Sequence, residues 1–196
     1  IYNFREIASE LRELGHEFRT HCDTEVILYA WRQWGEACVE RFRGMFAFAL
    51  YDRKARSLFL ARDRFGIKPL YFAALPDGQF LFGSELKVLK AHPDLRRRLE
   101  PTAVEDYFAL GYVPEPRTIY RDVFKLNPGH TLLLKRGQQV PAQREYWDIP
   151  FATLPAAGEA ELCDELAARI REAVQVRLVS EVPLGAFLSA GLDSSA

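Results

Sequence analysis

Apolar residues open the chain at helical spacing. Phe4, Ile7, Ala8, Leu11 and Leu14, with Gly15 as a natural stop, predict a helix over 4–14. Asp23-Thr24-Glu25 then precedes Val26, Ile27, Ala30, Trp31 and Trp34, a helix-start signal followed by a second helical stripe. After Gly44 the period changes. Residues 44–52 (GMFAFALYD) and 57–62 (SLFLAR) are nearly continuous apolar runs around a turn at 53–56, and predict strands buried on one or both faces. Residues 70–73 and 79–83 predict a second hairpin across Pro76-Asp77-Gly78. Short and longer helices are predicted over 85–91 and 101–112, the second beginning at Pro101, and a proline-bearing loop over 111–117. Residues 123–126 and 131–135 predict strands around the turn Asn127-Pro128-Gly129-His130.

Residues 149–158 (IPFATLPAAG) then read as a linker. Beyond it, Leu162, Leu166, Ile170, Val174 and Leu178 recur at i, i+4 spacing and predict a long amphipathic helix. Residues 182–188 predict an apolar strand that delivers Ser189-Ala190-Gly191-Leu192-Asp193-Ser194-Ser195. The pattern therefore divides the chain into a strand-rich domain at 1–149 and the beginning of a second domain at 150–196.

Composition narrows the class. Of 196 residues, 48% are hydrophobic and 27% charged, which fits a folded protein rather than a disordered one. Lys plus Arg number 26 and Asp plus Glu 27, so bulk charge gives no support for a nucleic-acid or membrane-surface binder. No apolar run approaches the ~20 residues that span a bilayer. Fourteen Phe, eight Tyr and three Trp predict a well-filled core. Cys22, Cys38 and Cys163 are widely spaced, form no metal-ligand cluster, and point to buried free thiols in a reducing, intracellular compartment. A sequence that starts at Ile1 and stops just after a Ser/Gly-rich turn reads as a fragment.

Three stretches have candidate chemistry. At the C-terminal turn, Ser189, Gly191, Asp193, Ser194 and Ser195 follow an apolar strand where a helix would start, an arrangement suited to phosphate, with Asp193 able to hold Mg²⁺. The bland alternative is a strand-to-helix turn capped by Asp193 or Ser194. The run Arg62-Asp63-Arg64-Phe65-Gly66-Ile67-Lys68 leaves a strand with four charges; spacing alone favours a structural charge network over a functional loop. Asp23 suits either the ammonium of a small substrate or an N-cap, and Cys22 beside it is better read as a small buried thiol than as a nucleophile. His16, His21, His92 and His130 are scattered and receive no role.

Together these motifs resemble the glutamine-dependent asparagine synthetase family. The likeness is carried by Ile1-Tyr2-Asn3, Gly15-His16, Thr20, Asp23-Thr24-Glu25-Val26-Ile27-Leu28 and Trp34-Gly35. It continues through Gly44-Met45-Phe46-Ala47-Phe48-Ala49, Leu60-Ala61-Arg62-Asp63-Arg64, Gly66-Ile67-Lys68-Pro69-Leu70-Tyr71 and Ser84-Glu85. Leu126-Asn127-Pro128-Gly129-His130, Tyr146-Trp147, Val182-Pro183-Leu184-Gly185 and a variant of the SGGxDS loop complete it, in order over essentially the whole chain. The resemblance implies an α+β fold: an N-terminal-nucleophile αββα sandwich, incomplete at its N-terminus, followed by the start of an α/β parallel-sheet ATP-pyrophosphatase domain. It implies glutamine hydrolysis in the first domain and, with ATP and Mg²⁺, amidation of aspartate through an acyl-adenylate in the second. Glutamine, aspartate and ATP are then the substrates of a cytoplasmic enzyme, and a homodimer is compatible with it.

Residue by residue, the resemblance gives Asp23 the glutamine α-amino group. It gives Leu188, Ser189, Gly191, Asp193 and Ser194 the ATP and pyrophosphate positions, with Asp193 on Mg²⁺. The nucleophilic Cys, the Arg on the glutamine carboxylate and the oxyanion-hole Asn-Gly are expected upstream of Ile1, so residues 1–196 alone are expected to be inactive on glutamine. Ala190 stands where the family usually has Gly; at a positive-φ position its Cβ would cost roughly 1 kcal/mol. A paralogue amidating another carboxylate, or a non-catalytic scaffold, are the alternative readings.

Overall fold

The computed structural model describes residues 1–151, 158–179 and 182–191. It divides into two compact units, one of Ile1 and Asn3–Pro150, the other of Tyr2 and Phe151–Ala196.

The first unit begins with α1 (Phe4–Glu13) and α2 (Asp23–Trp34), then a 3-10 turn (Gly35–Ala37) and the short α3 (Cys38–Arg41). Strands β1 (Ala47–Asp52) and β2 (Ser57–Arg62) form an antiparallel hairpin, as do β3 (Tyr71–Ala74) and β4 (Phe80–Gly83). Helices α4 (Leu86–Lys90) and α5 (Pro101–Leu110) precede β5 (Val123–Lys125), β6 (His130–Lys135) and β7 (Arg144–Glu145). The strands make two sheets, ordered β1-β2-β6-β7 and β4-β3-β5.

Alternation along the strands builds the layers. On β2, Phe59 and Ala61 face the helices and join Ile7 and Leu11 of α1, Val26 and Ala30 of α2, and Val39 of α3 in one core. Leu58 and Leu60 point the other way, with Leu132 and Leu134 of β6, and meet Leu70, Phe72, Phe80 and Leu126 of the second sheet. On β3 the alternation repeats: Phe72 looks inward, while Tyr71 and Ala73 look out onto Leu86 and Leu89 of α4. The order is helix, sheet, sheet, helix, the expected αββα sandwich. Fully burying each such Leu or Phe contributes about 1.5–3 kcal/mol.

Residues 123–126 and 131–135 do not form a hairpin with each other; β5 belongs to the second sheet and β6 to the first, so the turn between them carries the chain across the sandwich. Only backbone pairing, not the local pattern, decides between a hairpin and a crossover. Elements α3 and β7 were not anticipated, because four and two residues are too few to show a period.

The crossing is fixed by residues 62–68. Asp63, 1% exposed, accepts backbone N–H groups from Phe46, Phe65, Ile67 and Lys68 at 2.9–3.2 Å. Its backbone carbonyl accepts the N–H of Gly129 at 2.9 Å. Arg62 donates to the carbonyls of Gly66, Lys68 and Leu126 and pairs with Glu115 at 2.9 Å. Because Arg62 lies in one sheet and Leu126 directly follows a strand of the other, the buried guanidinium joins the two. Gly66 and Gly129 both have φ of +64°; a Cβ at Gly66 would lie 2.8 Å from Arg62 Nη2, and one at Gly129 would overlap the Trp147 carbonyl oxygen. Both positions require glycine for conformation and for space.

In the second unit α6 (Glu159–Gln175) bears out the amphipathic helix, but its stripe is not covered. Leu162, Leu166, Ile170, Val174 and Leu178 are 43–59% exposed. Residues 182–188, expected as a parallel strand, have no strand structure. A strand exists only through a ladder to a neighbour, and among the described residues of this unit there is no other strand to pair with. Most of the expected linker, residues 152–157, lies outside the described residues.

Candidate functional site

Asp23 is the first residue of α2. The preceding Cys22 occupies the N-cap position in extended conformation, φ −92° and ψ 142°, and no side chain caps the helix there. Asp23 is therefore not the cap; its carboxylate is turned to other partners. Its Oδ1 accepts the Cys22 thiol at 3.6 Å. Burial pushes the Asp23 carboxyl up, while hydrogen bonds from the Cys22 thiol and the Thr24 backbone favour its ionised form. The helix N-terminus favours the ionised form further. At 41% exposure the side chain is reachable from solvent. Chemically, this is a carboxylate able to hold an amino-acid α-ammonium.

Sequence reasoning missed how Asp23 is held. Glu25, two residues on, takes the Arg19 N–H at 3.0 Å on Oε1, and the Thr20 N–H at 2.7 Å and hydroxyl at 2.5 Å on Oε2. The Thr20 hydroxyl accepts the Cys22 N–H at 3.3 Å. The backbone hydrogen bond from Arg19, first among these contacts, holds Glu25 below its usual carboxyl range. A Thr three residues before the Asp and a Glu two after it was the available signal.

The other candidates separate. Cys22 is exposed, as is Cys163, against the expectation of buried thiols; only Cys38 is buried. Both exceptions lie at polar surfaces, Cys22 before a helix start and Cys163 on α6. The Arg62–Asp63 run is the structural network described above, with Asp63 taken up by backbone N–H groups and Arg62 by backbone carbonyls and Glu115. His16 meets Gln33 at 2.8 Å and His130 the Pro128 carbonyl at 2.7 Å. Among the described residues no group of three or more His, Cys, Asp or Glu is placed to hold a metal. In the second unit Leu188, Ser189 and Gly191 are exposed, and the Ser189 hydroxyl accepts the Gly191 N–H at 3.3 Å. Asp193 and Ser194, the expected Mg²⁺ and pyrophosphate residues, lie outside the described residues. No helix among the described residues is long and apolar enough to cross a membrane.

Comparison with known proteins matches both regions. Residues 1–147 match the model of the glutamine amidotransferase domain, and residues 165–196 that of asparagine synthase. The chain is 39% identical to asparagine synthetase [glutamine-hydrolyzing] 3 of Bacillus subtilis, over all of its own length and 31% of that protein's. It is also 39% identical to a putative asparagine synthetase [glutamine-hydrolyzing] 2 of Methanocaldococcus jannaschii, over all of its own length and 37% of that protein's. The chain thus spans about a third of the length of these relatives. Glutamine phosphoribosylpyrophosphate amidotransferase of B. subtilis superposes on 75% of the chain, and 27% of its own, with a TM-score of 0.50 at 17% identity, a likeness of fold. With a family match running from Ile1 to Trp147, the chain belongs to the glutamine amidotransferase domain family.

Proposed function

We propose that this chain serves a cytoplasmic, ATP-dependent, glutamine-hydrolysing amidotransferase of the asparagine synthetase type. Residues 1–149 form its glutaminase domain, and residues 150–196 the linker and the beginning of its ATP-pyrophosphatase domain. The observation that carries this reading is the match of residues 1–147 to the glutamine amidotransferase domain, within which Asp23 stands half exposed at the first position of α2. Asp23 binds the α-amino group of glutamine through a charge-assisted hydrogen bond. Ammonia released from the side-chain amide then attacks an aspartyl-adenylate formed from ATP, and AMP leaves. Ser189, Gly191 and Ser194, with the Leu188 backbone, face the nucleotide, and Asp193 holds the Mg²⁺ that offsets charge on the departing pyrophosphate. The match of residues 165–196 to asparagine synthase supports this second half.

The test is made in the intact protein. Asp23→Asn is expected to raise KM for glutamine by roughly 10- to 100-fold, the value of a charged hydrogen bond, while ammonia-dependent synthesis survives. Asp193→Ala is expected to abolish product from either nitrogen source and leave glutamine hydrolysis measurable. Unchanged glutamine kinetics in Asp23→Asn would remove the substrate role from Asp23.

A further inference from the structure

We infer that Thr20 and Glu25 are positioning residues for α-amine recognition by Asp23. The inference rests on the reading of Asp23 given above. Its basis is a closed relay across the start of α2. Glu25 collects the N–H groups of Arg19 and Thr20 and the Thr20 hydroxyl on one carboxylate. That fixes the Thr20 oxygen where it accepts the Cys22 N–H. Cys22 is thereby held extended, and its ψ of 142° sets the direction in which the Asp23 backbone enters the helix.

In the ordinary capping box, a Glu at this helical position reaches back to the N-cap N–H. Here Glu25 reaches past it, to residues 19 and 20, and Thr20 serves the N-cap residue instead. The clamp runs through four hydrogen bonds of 2.5–3.3 Å, whereas the Asp23 side chain is half exposed and accepts the Cys22 thiol at 3.6 Å. The accuracy of the carboxylate therefore comes from its backbone, and the backbone takes it from Thr20 and Glu25. Small displacements of a binding group carry large kinetic penalties.

Thr20→Val keeps the shape of the side chain and deletes both of its hydrogen bonds. Assayed in the intact protein, it is expected to raise KM for glutamine roughly tenfold, with kcat and the ammonia-dependent reaction little changed. Thr20→Ser, which restores the hydroxyl, returns KM to near the parent value. Glu25→Gln, which keeps the shape and loses one acceptor, gives a smaller rise, and carries the test where Thr20→Val does not accumulate. If Asp23→Asn raises KM while Thr20→Val and Glu25→Gln do not, the relay is overturned and the role of Asp23 stands. If Asp23→Asn also leaves KM unchanged, the underlying reading fails first. Equal losses with glutamine and ammonia in Thr20→Val would mark a general folding role and overturn positioning.

Discussion

Phe59 and Ile170 occupy the same kind of sequence environment, an apolar position repeated at the period of its element, and meet opposite fates. Phe59 lies at the centre of β2 with no exposure, against Trp31 at 4.7 Å and Phe48 at 6.1 Å between ring centroids. Ile170, in the stripe of α6, remains 48% exposed. Periodicity specifies which face an element offers; burial requires a second face to receive it. The first unit supplies that face three times over, on the helical side, between the sheets and under α4. Among the described residues of the second unit, α6 has none.

The contrast can be broken most sharply at Phe59. Phe59→Ala is expected to destabilise the first unit by about 3–5 kcal/mol. Trp31, Trp34 and Trp147 all lie in that unit, so denaturant unfolding followed by tryptophan fluorescence reads it directly. Far smaller is the expectation for Ile170→Ala in the 196-residue chain: a change within about 0.5 kcal/mol by far-UV circular dichroism, as at other surface sites. A loss comparable to that of Phe59→Ala would show the stripe to be covered after all.

The gentlest probe alters no residue. Burial pushes the Cys38 thiol up to about 12, while Cys22 and Cys163 are exposed. A thiol reagent at neutral pH is therefore expected to label two cysteines in the folded chain and the third only after unfolding. Cys38 has a higher pKa folded than unfolded, so its contribution is complete below about 8.5, the ordinary thiol value, and is lost as pH rises toward 12. Labelling of Cys38 in the folded chain would mean that its core opens.

Much of the fold was legible because strands and helices of the first unit carry their own patterns. The runs at 44–52 and 57–62 announce β1 and β2, and Pro101 announces α5. The partnership of strands was not legible: nothing local to Asn127-Pro128-Gly129-His130 says that the chain leaves one sheet for the other. At the site, Asp23 was singled out by its place before an apolar helix, and the Arg62–Asp63 run by its charge. What escaped was the dependence of Asp23 on Thr20 and Glu25, since the sequence shows neither the direction of a carboxylate nor the backbone groups that converge on it.

Gly66 and Gly129 flank the network that ties the sheets together, and each is closed to every other residue by its surroundings: the Arg62 guanidinium and Pro128 for one, the Trp147 carbonyl for the other. Any single-base change that alters a glycine codon's meaning installs a Cβ or ends translation. At these two positions the gene therefore has no neutral neighbour.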